Sequence, residues 1–143
     1  MSIRLMGVSY KEAALELRER VSFTESAKLE VLEELAAQGV SAVILSTCNR
    51  TEIYASDAKG SAERAVRAVL LRRAGDAAER LQPHLYTAQD EQAVKHLFEV
   101  AAGLESLVLG EDQILGQVQD AYELSFSAGC TDKALRRVCQ DAV

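Results

Sequence analysis

The stretch from Val40 to Tyr54 allows this chain little choice of local structure. An apolar run, Val40 to Leu45, stops abruptly. A polar turn containing Cys48 follows, and an alternating stretch resumes at Thr51. A short apolar run bounded by turn residues reads as a buried strand, and period-two alternation as a neighbouring strand. The turn between them presents a thiol with Arg50 two residues away. A nearby cation stabilises a thiolate, and a guanidinium clamps a carboxylate in bidentate fashion. The local chemistry therefore points to a cysteine nucleophile beside an acid-binding group. The competing reading is a buried, inert cysteine, the commoner fate of a free thiol.

Strand and helix signals alternate around this pair. Ile3, Leu5 and Met6-Gly7-Val8 predict a strand over about residues 2–9, and residues 11–20 a short helix. Ser22 or Thr24 caps the next helix, Ser22 forming a capping box with Glu25; Ala27, Val31, Leu32 and Leu35 share a face and Gly39 ends it. After the strands at Val40–Leu45 and Glu52–Ser56, Ser61 caps a helix ending near Gly75, and Pro83–Thr87 reads as a fourth strand. Asp90 caps a helix with Ala93, Val94, Leu97, Phe98 and Ala101 on one face, closed by Gly103. Glu111 opens a helix to about Phe126, and a last helix starts near Asp132. The order strand-helix-strand-strand-helix-strand predicts an α+β, ferredoxin-like (split βαβ) antiparallel sheet with helices on one face, plus additional C-terminal helices.

Composition bounds the function. With 143 residues, 48% hydrophobic and 27% charged, the chain can bury its own core. No apolar run approaches the ~20 residues of a membrane span, and residues 1–10 do not read as a secretory signal. Cys48, Cys130 and Cys139 are odd in number and widely spaced, with no metal-type pair. That usage fits a reducing, cytoplasmic setting. A net charge of −6 argues against broad nucleic-acid binding without excluding contact with one end of an RNA. Leu135, Val138, Cys139 and Ala142 form an apolar stripe with no cap after it, so the chain is expected to be part of a longer protein.

Three segments carry a family resemblance. They are Thr47-Cys48-Asn49-Arg50-Thr51-Glu52-Ile53-Tyr54, the run His96 to Ser106, and Leu107-Val108-Leu109-Gly110-Glu111-Asp112-Gln113-Ile114-Leu115-Gly116-Gln117-Val118. In order and spacing they resemble the glutamyl-tRNA reductases. The resemblance implies NADPH-dependent reduction of glutamyl-tRNA to glutamate-1-semialdehyde, the first step of five-carbon tetrapyrrole (haem) synthesis. It implies residues 1–130 as an N-terminal catalytic domain that binds glutamyl-tRNA and forms a thioester. Residues 131–143 would begin a helix connecting to an absent NADPH-binding domain. It further implies a homodimer through an absent C-terminal domain, and a possible downstream aminomutase partner. No G-x-G-x-x-G follows a strand here, so the dinucleotide fold is missing from this sequence.

By the same resemblance Cys48 is the nucleophile and His96 a catalytic histidine that polarises the carbonyl or shuttles a proton. Thr47, Asn49, Arg50, Ser106, Glu111, Asp112, Gln113 and Gln117 would bind substrate. Each has a structural alternative: His96 a buried core histidine, Glu111 and Asp112 first-turn charges, Gln113 and Gln117 one exposed helix face. Cys139 is expected in the core, Cys130 incidental in a turn, and Tyr54 in sheet packing. The family usually reads Gly-x-x-His-Lys-Thr-Ala-Pro where this chain has Gly7-Val8-Ser9-Tyr10-Lys11-Glu12-Ala13-Ala14. A Glu12 facing the site would repel a substrate carboxylate. That departure supports an alternative, a non-catalytic module that binds glutamyl-tRNA or a protein. A third option, a cysteine hydrolase of another kind, lacks any local motif.

Overall fold

The computed structural model describes residues 3–105 and 113–143. Four strands, β1 (Ile3–Ser9), β2 (Ser41–Ser46), β3 (Arg50–Ser56) and β4 (Tyr86–Gln89), form one sheet in the order β2-β3-β1-β4. Every neighbouring pair is antiparallel. Taken from the other edge this is the split βαβ order that the sequence predicts. The helices are α1 (Leu15–Arg20), α2 (Glu25–Ala37), α3 (Ala62–Ala74), α4 (Ala78–Leu81), α5 (Glu91–Ala101), α6 (Gln113–Ser127) and α7 (Lys133–Ala142). Among the described residues no helix is long and apolar enough to cross a membrane.

The helices of the split βαβ unit, α2 and α3, share one face of the sheet, and the additional α5, α6 and α7 cover the other. Ile3, Leu5, Val43, Leu45 and Tyr54 pack against α5, α6 and α7, where Leu97, Val118 and Leu135 are buried. On the opposite face Met6, Ala42, Ile44, Ile53 and Ala55 pack against Leu32 and Leu35 of α2 and Val66 and Leu70 of α3. The cause is in the strands: β2 and β3 carry buried side chains at odd and even positions alike, so each face needs a layer over it. The stripe of Leu135, Val138 and Cys139 on α7 is buried in the first of these cores.

Several local expectations shift. Thr24, not Ser22, caps α2, its Oγ1 accepting the Ala27 N–H at 3.2 Å; the Ser22 hydroxyl donates to the Glu19 carbonyl instead. Ser61 precedes α3 but makes no side-chain cap bond; the Asp57 carboxylate accepts from Gly60 N, Ser61 N and Ser61 Oγ. Pro83 sits in a short 3-10 turn, Gln82–His84, where it lacks only an N–H that the turn does not use, and β4 starts later, at Tyr86. Asp90 stands before α5 with φ 50° and makes no cap bond; its carboxylate accepts the Ile3 N–H at 3.0 Å, tying β1 to the β4–α5 corner. The opening of a helix at Glu111 lies outside the described residues. Cys130 is more than incidental: it is buried, and its carbonyl accepts the N–H of Ala42, satisfying the free edge of β2.

One row of side chains across the sheet positions the site. Leu45 faces Glu52, Glu52 faces Gly7, and Gly7 faces Tyr86. A Cβ at Gly7 would meet the Thr51 carbonyl oxygen at 2.6 Å and the Glu52 Cγ at 2.8 Å. Both atoms belong to a central strand and cannot retreat cheaply. Gly7→Ala is therefore expected to destabilise the fold by about 1–3 kcal/mol, the usual cost of overpacking; urea unfolding of the two chains measures it.

Candidate active site

β2 ends at Ser46 and β3 begins at Arg50, so residues 47–49 make the turn. Thr47 builds it. Its Oγ1 accepts the N–H groups of Asn49 at 3.1 Å and Arg50 at 3.2 Å, and its own N–H donates to the Arg50 carbonyl at 2.8 Å. A hydroxyl used this way keeps its proton free to donate. Cys48 stands exposed at the tip. The turn is braced from outside, the Arg18 Nη1 donating to the Cys48 carbonyl at 2.7 Å and the Tyr10 N–H to the Asn49 carbonyl at 2.8 Å.

Two hollows meet at this turn. One, of about 60 Å³, is lined by Asn49, Arg50, Gln113 and Ile114; the other, of about 500 Å³, by Leu15, Arg18, Phe23 and Ser46 among others. Thr47, Cys48 and Gln117 line both. The predicted one-face arrangement of Gln113 and Gln117 thus turns toward the thiol.

Behind the small hollow lies a buried ionic network centred on Glu52, which has no solvent exposure. Arg50, Glu52 and Tyr54 alternate onto one face of β3. Arg50 Nη1 lies 3.2 Å from Glu52 Oε2, and the Tyr54 hydroxyl donates to Oε1 at 2.7 Å. His96 Nε2, from α5, lies 2.5 Å from Oε2, and the Tyr86 hydroxyl, from β4, donates to the same oxygen. Tyr86 reaches it across Gly7, where no side chain intervenes. The second Arg50 amino group donates to the Glu105 carbonyl, and Glu105 in turn pairs with Lys11 at 2.8 Å.

Burial alone favours the neutral acid at Glu52, but the His96 hydrogen bond and the charges of His96 and Arg50 outweigh it and hold the carboxyl below its usual range. Burial likewise opposes a charge on His96, and Glu52 outweighs it and raises the His96 pKa. The Tyr54 and Tyr86 phenols are pushed up by burial and then by the Glu52 charge, so both remain donors.

The predicted residues therefore fall into two groups. Thr47, Cys48, Asn49, Arg50, Gln113 and Gln117 surround the small hollow, while His96 belongs to the Glu52 network; Arg50 joins the two. Arg50 is 3% exposed with its guanidinium already engaged, rather than an open clamp. Ser106, Glu111 and Asp112 lie outside the described residues. Glu52 and Tyr86 are additions, and Tyr54 is a donor as well as a packing residue. The available signal was a carboxylate at an inward position of an otherwise apolar strand, flanked two residues away by Arg50 and Tyr54. Glu12 lines neither hollow; its carboxylate accepts a hydrogen bond from the Ser9 hydroxyl within its own turn.

Iodoacetamide should label Cys48 in the folded chain well before Cys130 or Cys139, both buried, the Cys139 thiol being pushed up by burial to about 12; mass mapping of the labelled peptides checks this. Stability should also depend on pH from both sides. A raised His96 pKa contributes stability that is complete below 6.5 and is lost as pH climbs through the folded value. A lowered Glu52 pKa contributes stability that is complete above 4.5 and is lost as pH falls through the folded value. Stability should thus peak between these limits, and His96→Gln should abolish the alkaline decline while lowering the peak, as read by urea midpoints over roughly pH 4 to 9.

Comparison with known proteins agrees over nearly the full length. Residues 6–143 match the family described as glutamyl-tRNAGlu reductase, N-terminal domain. The glutamyl-tRNA reductase of Geobacillus kaustophilus is 42% identical over 146 residues, covering 100% of this chain and 32% of that protein. That of Myxococcus xanthus is 42% identical over 144 residues, covering 99% and 32%. The solved structure of glutamyl-tRNA reductase from Methanopyrus kandleri superposes with a TM-score of 0.78 at 33% identity, covering 98% of this chain and 32% of that one. The chain spans about a third of the length of these relatives. It belongs to the glutamyl-tRNA reductase family, as a member of its N-terminal domain.

Proposed function

We propose that this chain carries the acyl-transfer half of glutamyl-tRNA reduction, with Cys48 as nucleophile. The observation that carries the reading is the exposed Cys48 on a braced turn where a small polar hollow meets a large one. The Cys48 sulfur attacks the carbonyl carbon of the ester joining glutamate to the terminal ribose. The carbon–oxygen bond breaks, the ribose oxygen takes up a proton, and a thioester to Cys48 remains. Arg50 and His96 flank one buried carboxylate, Glu52, which raises the pKa of the histidine. The Arg50 charge suits a bound glutamate carboxylate and a developing oxyanion. A histidine whose protonated form is favoured by a carboxylate fits polarising the carbonyl or protonating the leaving oxygen. Asn49, Gln113, Gln117 and the free hydroxyl proton of Thr47 supply polar contacts to the glutamyl group; Ser106, Glu111 and Asp112 are proposed to complete them.

The described residues do not fit a nicotinamide dinucleotide. Their sheet is wholly antiparallel, with no parallel switch point and no glycine-rich strand-to-helix turn. We therefore assign residues 1–130 to acyl transfer and residues 131–143 to the start of a connection to an NADPH-binding domain. Reduction to glutamate-1-semialdehyde in tetrapyrrole synthesis, and dimerisation, are assigned to the longer protein in the cytoplasm. The alternative of a non-catalytic module rests on the altered segment Tyr10 to Ala14, where the Glu12 carboxylate accepts a hydrogen bond from Ser9; equal, slow labelling of all three thiols would favour it.

Deacylation of glutamyl-tRNA without NADPH tests the reading. Glutamate release should be selective over glutamine from glutaminyl-tRNA, and Cys48→Ser should cut it by ~10²-fold or more. In that assay water cleaves the thioester, releasing glutamate and the thiol; deacylation at the spontaneous rate by the unaltered chain, with no glutamyl group on Cys48, would reject Cys48 as an acceptor.

A further inference from the structure

Three exposed arginines of this chain are neutralised by carboxylates: Arg20 pairs with Asp76, Arg72 with Glu34 and Arg80 with Glu16. Lys133, Arg136 and Arg137 on α7 are different. All three are exposed, and none pairs with a carboxylate among the described residues. They share one face of the helix, and Lys133 and Arg137 are like charges one turn apart, an arrangement that costs a helix stability. The adjacent acid, Asp132, accepts the Leu135 N–H at 2.9 Å, and the Arg136 Nε meets only the Asp132 carbonyl, at 3.4 Å. Asp141, one turn beyond Arg137, makes no ion pair with it.

A second feature lies beside these cations. Phe126, near the end of α6, is 51% exposed. Its ring packs on Tyr122 with centroids 5.8 Å apart and planes at 31°, and the Gln140 Nε2 donates to the Tyr122 hydroxyl at 3.3 Å. Phe126, Lys133, Arg136, Arg137 and Gln140 line one surface hollow of about 400 Å³. An aromatic face bordered by cations suits a nucleotide within a strand: the base stacks on the ring and the neighbouring phosphates meet the guanidinium groups. An apolar helix would leave the cations unused, and an acidic peptide the ring. In a chain of net charge −6, a polyanion is repelled over much of the surface and settles where cations are in local excess. The hollow is separate from the Cys48 turn. Gln117 lines the hollows there, and Phe126 lies about two and a half turns further along α6, roughly 14 Å on and on the opposite side of the helix.

We infer that the patch of Phe126, Lys133, Arg136 and Arg137 is a second RNA contact, holding an unpaired base and its flanking phosphates in the body of the acyl-RNA, away from the acylated end. This rests on the proposed acyl transfer, which brings only the end of that RNA to Cys48 and leaves the rest of a large polyanion to lie over the surface. The base stacks on Phe126, two phosphates meet Arg136 and Arg137, and Lys133 adds charge at the border. The like-charge crowding on α7 is then relieved when the RNA is bound.

Fluorescence anisotropy of unacylated, glutamate-accepting tRNA, titrated with the chain over a series of salt concentrations, tests this. The unaltered chain should bind. The double variant Arg136→Gln, Arg137→Gln should bind at least ~tenfold more weakly, and its slope of log affinity against log salt should be shallower by about 1.5, the loss of two phosphate contacts. Phe126→Ser should weaken binding roughly five- to tenfold and leave the slope unchanged, because stacking releases no counterions. Lys59→Gln with Arg64→Gln, which removes two exposed cations elsewhere, should change affinity by less than about twofold. Absence of RNA binding, an Arg136, Arg137 or Phe126 variant that binds like the unaltered chain, or a control pair that weakens as much as the arginine pair overturns the assignment. Displacement of the RNA by equal concentrations of adenosine monophosphate or polyglutamate overturns it in favour of a free nucleotide or an acidic protein segment. Because no ester bond is broken, the titration reads the patch even if Cys48 accepts no glutamate. Conversely, Cys48-dependent deacylation in a chain whose patch variants bind RNA normally keeps the acyl transfer and rejects the patch.

Discussion

A carboxylate with no solvent exposure sits in the middle of this sheet, and the surrounding architecture is arranged to keep it ionised. Removing a charge from water costs several kcal/mol unless partners replace the lost hydration. Glu52 has four: Arg50 and Tyr54 from its own strand, Tyr86 from the far edge strand, and His96 from α5. The arrangement holds only in one register. Slipping β3 by a residue would move Glu52 to the opposite face, among Met6, Ile44 and Ile53. Gly7 is part of the same constraint, because any side chain there would fill the space through which Tyr86 reaches the carboxylate.

Arg50 carries the consequences of that network to the surface. One end of its guanidinium is held by Glu52 and the other by the Glu105 carbonyl, while its backbone closes the Cys48 turn through Thr47. The thiol is thus exposed but not loosely placed. Arg18 and Tyr10, from the segment after β1, hold the same turn from the other side. Rigid elements that present one reactive atom at a junction of two hollows are what acyl transfer requires, since orientation supplies much of the rate. The half-buried His96 stands one layer back, where its link to Glu52 favours the protonated form.

Much of the fold is legible in the residues. The alternation of strand and helix signals yields the split βαβ order, because period two and period 3.6 differ over even short windows. The cap at Asp132 and the stop at Gly39 follow from local chemistry that tertiary contacts do not override. Other local signals fail where a long-range partner offers more. Ser61 loses its capping role to Asp57, and Asp90 spends its carboxylate on Ile3 and not on its own helix. The segment order places α2 and α3 together on one face, as expected, but does not say that the additional helices α5, α6 and α7 return to cover the other.

The candidate site divides in the same way. Cys48 in a polar turn, with Arg50 two residues on, is readable from sequence, because a strand–turn–strand unit is local and its tip must be exposed. The partnership of Glu52 with His96, 44 residues away, and with Tyr86, 34 residues away, is not. Nor is the placing of Leu15, Arg18 and Phe23 beside the thiol. Short-range steric and hydrogen-bonding preferences are written into neighbouring residues. A buried charge instead finds its partners through strand register and helix docking, which only the packed chain decides.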